Sequence, residues 1–320
     1  MREITIGVTS QEPNLRYFLV PTPWFDEVSA AEAGYRDSDC VTAVSVSKES
    51  RFGNAVQQIR NAVSVARENH LPTVYLPGFW WIKKGIHQLS CGIRLVNEEE
   101  VVLDDEEVLL VGRFFNVSTL VDFPPGGLSC RQVIDHLGDL VILDRDGEVL
   151  ADDHLVIHLR AGDIFTPWGV HPGYGQPPLA FYLRVLESGS WRRVTLVAQD
   201  TSNPIWELLA ERASSRGECD IRIGGSLRKD LEFLLRARSL VVASGTFARG
   251  IAAVSKSLEH VHSFEGSFDP WGNDKVKVTR WVDSEGSYRK RLLSQNWVNS
   301  PDQRELMITY PMEFIRPAEG

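Results

Sequence analysis

The sequence predicts an α/β protein made of two domains. Short apolar segments of strand length alternate with segments whose apolar residues recur at helical intervals, a pattern typical of parallel sheets covered by helices. The chain has 320 residues, which fits two domains of ordinary size better than one. The alternation starts again near residue 150, so we expect domains over 1–150 and 151–320, with a ligand in the cleft between them.

The first half contains one clear β-α-β unit. Residues 1–39 are rich in Pro, Asp and Glu and predict a short strand plus irregular structure. An apolar segment predicts a strand over 40–46. Helical spacing of apolar residues predicts a helix over 52–69, ended by His70-Leu71-Pro72. The next strand is predicted at 73–76, and two strands joined by a helix favour a parallel sheet.

The remainder of the first half is less regular. We predict a strand over 108–111 and a helix over 130–137. Residues 141–150 predict a hairpin with Asp144-Arg145-Asp146-Gly147 at its turn. Asp144 and Asp146 also match the Asp-x-Asp pattern of metal-dependent glycosyltransferases, but the adjacent glycine favours the turn.

The second half continues as a regular α/β series. Strands are predicted at 155–159, 194–198, 221–223 and 240–243, with a further strand beginning at Val261. Helices are predicted at 179–186, 205–212, 229–237 and 246–255.

Composition excludes several classes of function. With 43% hydrophobic and 24% charged residues, the chain is typical of a soluble globular protein. Its net charge of −9 argues against nucleic acid as a partner. The N-terminal residues show no signal-peptide core and no apolar run is long enough to span a membrane, so we expect a cytoplasmic protein. Four scattered cysteines lack zinc-ligand spacing, and we expect no metal site.

The most informative segment is the strand end from Val156 to Asp163. In a strand, residues two apart share a face, so His158 and Arg160 point to the same side. Arginine's planar fork suits a diphosphate. Two interpretations are open: a salt bridge between Arg160 and Asp163 at the strand end, or an anion site that uses both His158 and Arg160.

Two further strand ends carry groups suited to phosphate. Arg51, Gly53 and Asn54 precede a predicted helix, where glycine allows a close approach of the backbone and the first helical turn offers amides. Ser244, Gly245, Thr246 and Phe247 join a strand to a helix in the same way, and the two hydroxyls add donors. The alternatives are ordinary helix caps, by Asn54 in the first segment and by Ser244 or Thr246 in the second.

Together these three segments resemble motifs of the fucosyltransferase superfamily, which includes protein O-fucosyltransferases and bacterial α-1,2- and α-1,6-fucosyltransferases. Ser50-Arg51-Phe52-Gly53-Asn54 is similar to the N-terminal Gly-Arg-Phe-Gly-Asn-Gln segment of that group. His158-Leu159-Arg160-Ala161-Gly162-Asp163 resembles its His-x-Arg-x-x-Asp motif. Asp230-Leu231 through Ser244-Gly245-Thr246-Phe247 is similar to its third region. The chain departs from the pattern where Ala248-Arg249 replaces Ser-Trp-Trp and where no Gln follows Asn54.

The resemblance implies a GT-B fold, in which two Rossmann-like domains face a cleft, with the acceptor bound on the N-terminal side and a GDP-sugar on the C-terminal side. It implies that Arg160 holds the β-phosphate, that His158 positions the nucleotide, and that Asp163 orients Arg160 or approaches the sugar. Ser244, Gly245, Thr246 and Phe247 would hold the pyrophosphate and Asp230 the base or ribose. From the first domain, Arg51, Gly53 and Asn54 would reach the donor.

The loop from His171 to Pro178 is a further candidate. Its proline favours a helix start, but it follows the His158 strand, and loops at the carboxyl ends of strands often carry function. His171, Tyr174 and Gln176 are therefore possible contacts with substrate, and His171 and Asp163 are the candidate general bases.

The function expected from these observations is an inverting, metal-independent glycosyltransferase without a cofactor. Its donor is expected to be a nucleotide sugar, and the resemblance favours GDP-fucose. The acceptor would be a glycan or small molecule, and any membrane association would come through it. Three alternatives are open: another nucleotide sugar, a non-catalytic nucleotide-sugar or glycan-binding protein, and an unrelated α/β enzyme in which the three loops are only helix caps. The sequence does not indicate the oligomeric state.

Overall fold

The chain forms two compact units, one made of residues 1–142 with 271–273 and the other of 143–270 with 274–320. The computed structural model describes residues 16–19, 41–47, 51–98, 108–112, 114, 137–143, 147–166, 170–266 and 268–318. The predicted α/β class is confirmed, because each unit is built on a sheet in which most strand pairs are parallel. The units are described separately, and the predicted cleft, the domain roles and the boundary at 150 stay predictions.

The first unit contains a six-stranded sheet in the order β1-β6-β2-β3-β5-β4. Its strands are β1 (Arg16–Leu19), β2 (Ala43–Val46), β3 (Thr73–Leu76), β4 (Gly85–Gln88), β5 (Arg94–Asn97) and β6 (Val108–Gly112). All neighbouring strands are parallel except β4 and β5. Helix α1 (Phe52–Glu68) joins β2 to β3 and buries one apolar face, as the helical spacing predicts.

The predicted hairpin over 141–150 is wrong. Its turn residues 144–146 lie outside the described residues, but 141–143 and 147–150 on either side form no strand. Val141 instead forms an isolated antiparallel bridge with Ile82. Residues 137–140 are helical, while 130–136 of the predicted helix lie outside the described residues.

The second unit contains a seven-stranded sheet in the order β13-β12-β11-β10-β7-β8-β9. Its strands are β7 (His154–Leu159), β8 (Arg193–Ala198), β9 (Glu218–Ile223), β10 (Ser239–Val241), β11 (His260–Phe264), β12 (Lys277–Asp283) and β13 (Ile315–Pro317). Only the β12–β13 pair is antiparallel. Read from β9 to β12, the order by first appearance is 3-2-1-4-5-6, that of the Rossmann fold.

Helices cover both faces of this sheet. They are α2 (Leu179–Ser188), α3 (Trp206–Ser214), α4 (Leu227–Leu234), α5 (Thr246–Val254), α6 (Ser287–Leu292) and α7 (Pro301–Thr309). Leu155, Ile157 and Leu159 of β7 share one hydrophobic core with buried residues of α2, α3, α6 and α7. The alternate residues His154 and His158 face the other side, where they contact Phe233 of α4 and Phe247 of α5.

None of the helices in the ranges given above is long and apolar enough to cross a membrane.

Candidate functional site

The Rossmann order places one pair of strand ends at a crevice. Strand β7 is followed by a connection to β8 on one side, whereas the strand on its other side, β10, continues to β11. Connections therefore leave in opposite directions between β7 and β10. In open α/β sheets this switch point, at the carboxyl ends of the strands, is where ligands bind. The His158-Arg160 segment includes the last two residues of β7, and the Ser244-Phe247 segment follows β10.

His158 lies at this switch point as a neutral imidazole. Its ring packs on Phe247 with 4.9 Å between centroids, and its Nδ1 is buried without a hydrogen-bond partner among the described residues. Burial and the nearby charge of Arg160 lower the pKa of His158 to about 4. At neutral pH the imidazole therefore offers one N–H donor and one acceptor nitrogen.

Arg160 is held from two sides. Its Nη2 donates to Asp163 Oδ1 at 2.8 Å, and its guanidinium lies over the ring of Tyr174 at 5.8 Å. The backbone is fixed as well, because Asn203 Nδ2 donates to the Arg160 carbonyl at 2.9 Å. The salt bridge expected from the simpler interpretation is therefore present. The salt bridge engages only one of the five guanidinium N–H donors. It therefore orients Arg160 and leaves other donors for a ligand, as the anion-site interpretation requires.

The loop that carries Tyr174 and His171 is a short 3₁₀ turn over Pro172–Tyr174. His171 begins the turn, and its Nδ1 accepts from the Gly173 backbone N–H at 3.1 Å. The His171 ring lies 5.1 Å from that of Tyr174, so Arg160, Tyr174 and His171 form one contiguous group. Gln176 differs from the expectation for this loop, since its side chain is buried and donates to the Tyr174 carbonyl.

The β10–α5 turn is capped by a glycine. Gly245 is the residue before α5 and has φ +134°, a conformation essentially restricted to glycine. The alternative of a side-chain cap by Ser244 or Thr246 is wrong, because the cap position is Gly245 and has no side chain to bond. The first turn of α5 thus begins directly beside the switch point.

A cavity of about 350 Å³ opens at the carboxyl ends of β10 and β11. This is within the usual size range of small-ligand sites. Ser244 and Gly245 line it, and so do Gly173 and Gly175, which flank the Tyr174 that contacts Arg160. Ser263 also lines it, with an Oγ that is buried and has no partner among the described residues. We refer to it below as the β10–β11 cavity.

Charged groups that the sequence analysis did not include among its candidate site residues also line this cavity. Arg249 comes from α5 and Arg289 from α6, while Glu265 follows β11. Glu265 Oε1 accepts from the Asp283 backbone N–H at 2.6 Å, and Oε2 lies 3.9 Å from Arg289. The lining described therefore carries two guanidinium groups and one carboxylate, a balance that favours an anionic ligand.

In the first unit, the predicted Arg51-Asn54 segment lies at the start of α1. The helix begins at Phe52, so Gly53 and Asn54 lie inside its first turn, and Arg51 occupies the cap position without a side-chain cap bond. The alternative in which Asn54 caps the helix is wrong. Phe52 packs against Trp81 with ring centroids 4.9 Å apart. Ser50 lies outside the described residues.

Asp230 does not line the β10–β11 cavity. It lies in the first turn of α4. Burial raises the pKa of the Asp230 carboxyl, and the charge of Arg222 lowers it in part. Its predicted contact with a base or ribose stays a prediction.

No group of three His, Cys, Asp or Glu side chains within the described ranges is placed to hold a metal ion. Asp144 and Asp146, the Asp-x-Asp pattern of the sequence, lie outside those ranges. Cys91 and Cys219 are free thiols.

Comparison with known proteins gives similarity at the level of structure. No protein-family model matches the chain, and no curated protein matches its sequence. Among solved structures, POFUT1 in complex with GDP is similar at 10% identity with a TM-score of 0.40, over 70% of this chain and 98% of that one.

Two further solved structures are similar to a comparable degree. The family 9 glycosyltransferase of Veillonella parvula shares 10% identity at a TM-score of 0.39, over 79% of this chain and 90% of that one. The E. coli heptosyltransferase WaaC with ADP shares 11% identity at a TM-score of 0.38, over 74% of this chain and 93% of that one. At this level of identity and TM-score, the likeness carries no conclusion about chemistry.

Proposed function

We propose that the chain is a glycosyltransferase that binds the diphosphate of a nucleotide sugar at the switch point of its second unit. One observation carries the proposal. The two segments that resemble the fucosyltransferase motifs, His158-Asp163 and Ser244-Phe247, lie at the ends of neighbouring strands and meet through the ring contact of His158 and Phe247. They do so at the strand ends where a Rossmann sheet binds its ligand.

The surroundings of these segments suit an anionic ligand with polar groups. Arg249 and Arg289 line the adjoining cavity, and Arg160 is held in a fixed orientation by Asp163. Buried polar atoms without partners are costly, and His158 Nδ1 and Ser263 Oγ are two such atoms among the described residues. A nucleotide would supply hydrogen-bond partners for groups of this kind.

The proposed reaction transfers the sugar by in-line displacement. An acceptor hydroxyl oxygen forms a bond to the anomeric carbon while the bond from that carbon to the diphosphate oxygen breaks, which inverts the configuration. Negative charge develops on the departing diphosphate, and a pre-oriented guanidinium stabilises that charge strongly. We assign this role to Arg160. The hydroxyl proton passes to a base, for which Asp163 and His171 are the candidates in this unit.

The identity of the donor rests on the sequence resemblance. It favours GDP-fucose, with GDP as the departing group and no metal ion or cofactor taking part. Arg51, Gly53 and Asn54 would contact the donor from the first unit, and Asp230 would contact its base or ribose. The acceptor is a glycan or a small molecule that carries a hydroxyl group.

A nucleotide panel tests the binding step. GDP, UDP, TDP and ADP are each added to the full chain and the unfolding temperature is measured, because a ligand that binds only the folded state raises stability by mass action. We expect stabilisation by GDP above the others. No stabilisation by any of the four would overturn the proposal and favour an α/β enzyme of unrelated chemistry.

Release of the nucleotide from its sugar tests the chemical step. We expect Arg160→Ala to lower the rate of GDP release from GDP-fucose at least about 100-fold, because removal of a group that stabilises developing charge has effects of this size. Arg192→Ala is the matched control, since Arg192 is an exposed arginine that precedes β8, at the amino end of that strand and away from the carboxyl ends that carry the site. Nucleotide binding with no turnover on any acceptor would instead indicate a non-catalytic binding protein.

A further inference from the structure

A second cavity in the same unit has a different chemistry. It has a volume of about 160 Å³ and is lined by Gly147, Arg222, Lys229, Glu232, Phe233 and Arg236. None of these residues lines the β10–β11 cavity. Among the described residues, the lining combines three cations with one carboxylate, in a chain whose net charge is −9.

Two of the cations are held by one aromatic ring. The Arg222 guanidinium lies 4.4 Å from the centroid of Phe233, and the Arg236 guanidinium lies 5.8 Å from it. Phe233 is itself buried. Attraction between a guanidinium and an aromatic face holds the charged group in place without neutralising it.

The cations form no ion pair within the described residues, although Asp230 lies near enough to Arg222 for that charge to lower the pKa of its carboxyl in part. Within the described residues, no carboxylate lies within 4.0 Å of a side-chain nitrogen of Arg222, Lys229 or Arg236, and Arg222 Nε is buried without a hydrogen-bond partner. Glu232, the one carboxylate of the lining, lies 3.9 Å from Arg228. Three like charges that converge on a cavity repel one another, so an anion between them would be stabilised.

Gly147 and Arg236 approach each other closely. A Cβ atom on Gly147 would overlap the guanidinium at the flexible end of the Arg236 side chain. Close by, the Leu150 backbone N–H donates to the Arg236 carbonyl at 3.0 Å. The cavity is thus lined by a residue of β9, by α4 with the residues after it, and by the segment that begins the unit.

We propose that this cavity binds a phosphate group, as inorganic phosphate or as a phosphate monoester, at a site separate from the β10–β11 cavity. Its volume equals that of several water molecules at about 30 Å³ each, which accommodates a tetrahedral oxyanion with its remaining hydration. Guanidinium and ammonium groups are the side chains that proteins use for phosphate. The site takes a doubly charged anion in preference to chloride, because the three cations of its described lining outnumber the one carboxylate.

Calorimetric titration with inorganic phosphate, at constant ionic strength adjusted with chloride, tests the proposal on the full chain. We expect saturable binding that weakens about tenfold or more in Arg236→Gln and in Lys229→Gln, because each removes a charge-assisted bond. Lys229 is exposed, so its substitution leaves folding unaffected. Arg212→Gln, an exposed arginine at the end of α3, is the matched control and should bind phosphate as the natural chain does.

Three results would overturn the proposal. The first is no saturable binding of phosphate, and the second is an equal loss of phosphate affinity in the Arg212→Gln control. The third is a loss of phosphate affinity in Arg160→Gln with none in Arg236→Gln. The last result would assign the phosphate to the switch point instead. Glucose 6-phosphate and glucose distinguish the two sources of phosphate. Tighter binding of glucose 6-phosphate than of inorganic phosphate, with none of glucose, identifies the ligand as a monoester, and equal or weaker binding identifies the free anion.

Discussion

The imidazole of His158 and the ring of Phe247 lie against each other, with 4.9 Å between their centroids and 37° between their planes. One is the penultimate residue of β7 in the second unit, and the other lies in the first turn of a helix almost ninety positions later. The contact therefore joins two candidate binding segments that the sequence shows only as separate motifs. It also gives the neutral His158 a fixed orientation at the switch point.

We predict that Phe247→Ala weakens nucleotide binding about tenfold and lowers the free energy of unfolding by about 1 kcal/mol. The ring supports His158, and an aromatic pair of this kind contributes about that amount beyond its buried area. The affinity is measured by calorimetry with the nucleotide that stabilises the chain best. Phe247→Tyr keeps the ring and should retain most of the affinity. Equal affinities in all three proteins would show that the contact does not position His158.

We predict that Gly245→Ala destabilises the chain by about 1–3 kcal/mol, the cost of a residue in a conformation restricted to glycine. Space is not the reason, because a Cβ at Gly245 would meet no atom within 4 Å. Gly286 is a matched control, with φ +68° and equally open space around its Cβ position. Its backbone lies in the left-handed helical region, so Gly286→Ala should cost about 1 kcal/mol. Urea unfolding of both variants measures the two losses of free energy of unfolding. A larger loss in Gly286→Ala than in Gly245→Ala would contradict the prediction.

Strands whose two faces are buried were predictable from the sequence. Strands β7, β8 and β10 consist mainly of apolar residues and lie between helical segments, and such runs are typical of a parallel sheet. Strand β4 was not predicted, because its alternate residues are exposed and it pairs only as an edge strand. Strand β12 was missed for a similar reason, since Lys277 and Arg280 interrupt its apolar pattern.

The candidate site was predictable only in part. The ends of β7 and β10 carry His158, Arg160 and Ser244 in recognisable patterns. Glu265 and Arg289 of the adjoining cavity come from the end of β11 and from α6, and they approach each other only in the folded chain. The available signal was positional, because Glu265 directly follows β11, a strand whose start was predicted at Val261. Charged residues at the carboxyl ends of all the predicted strands could therefore have been included among the candidate site residues.

We predict that Asn97→Ala lowers the free energy of unfolding of the first unit by about 2–4 kcal/mol, because buried backbone groups lose their partners. Asn97 is fully buried at the end of β5. Its Oδ1 accepts from the Phe79 backbone N–H at 2.8 Å, and its Nδ2 donates to the carbonyls of Phe79 and Ile82 at 3.1 and 3.0 Å. Asn97→Asp keeps the acceptor but loses the donor.

Thermal and urea unfolding measure the effect of both Asn97 variants. Ser90→Ala, in an exposed loop between β4 and β5, is a control substitution for the same unit. A change of less than about 1 kcal/mol in Asn97→Ala would mean that these bonds contribute no more than ordinary exposed ones.

Stability should fall as the pH drops below about 6.5, the ordinary pKa of histidine. Burial and the neighbouring His260 lower the pKa of His262 to about 3, and burial and Arg160 lower that of His158 to about 4. The unfolded chain binds these protons near pH 6.5 and the folded chain does not, so the free energy of unfolding decreases with falling pH through this window. The stabilisation is complete above about pH 6.5 and is progressively lost toward the folded-state pKa values.

His262→Asn isolates one of these groups. The Nε1–H of Trp281 donates to His262 Nδ1 at 3.3 Å, and an asparagine oxygen can accept the same bond but does not titrate. Urea unfolding between about pH 6.5 and 5, above the range in which carboxylates titrate, should show a pH slope smaller by about one proton than that of the natural chain. An unchanged slope would mean that His262 is protonated equally in the folded and unfolded states, and that its burial has no part in the acid sensitivity.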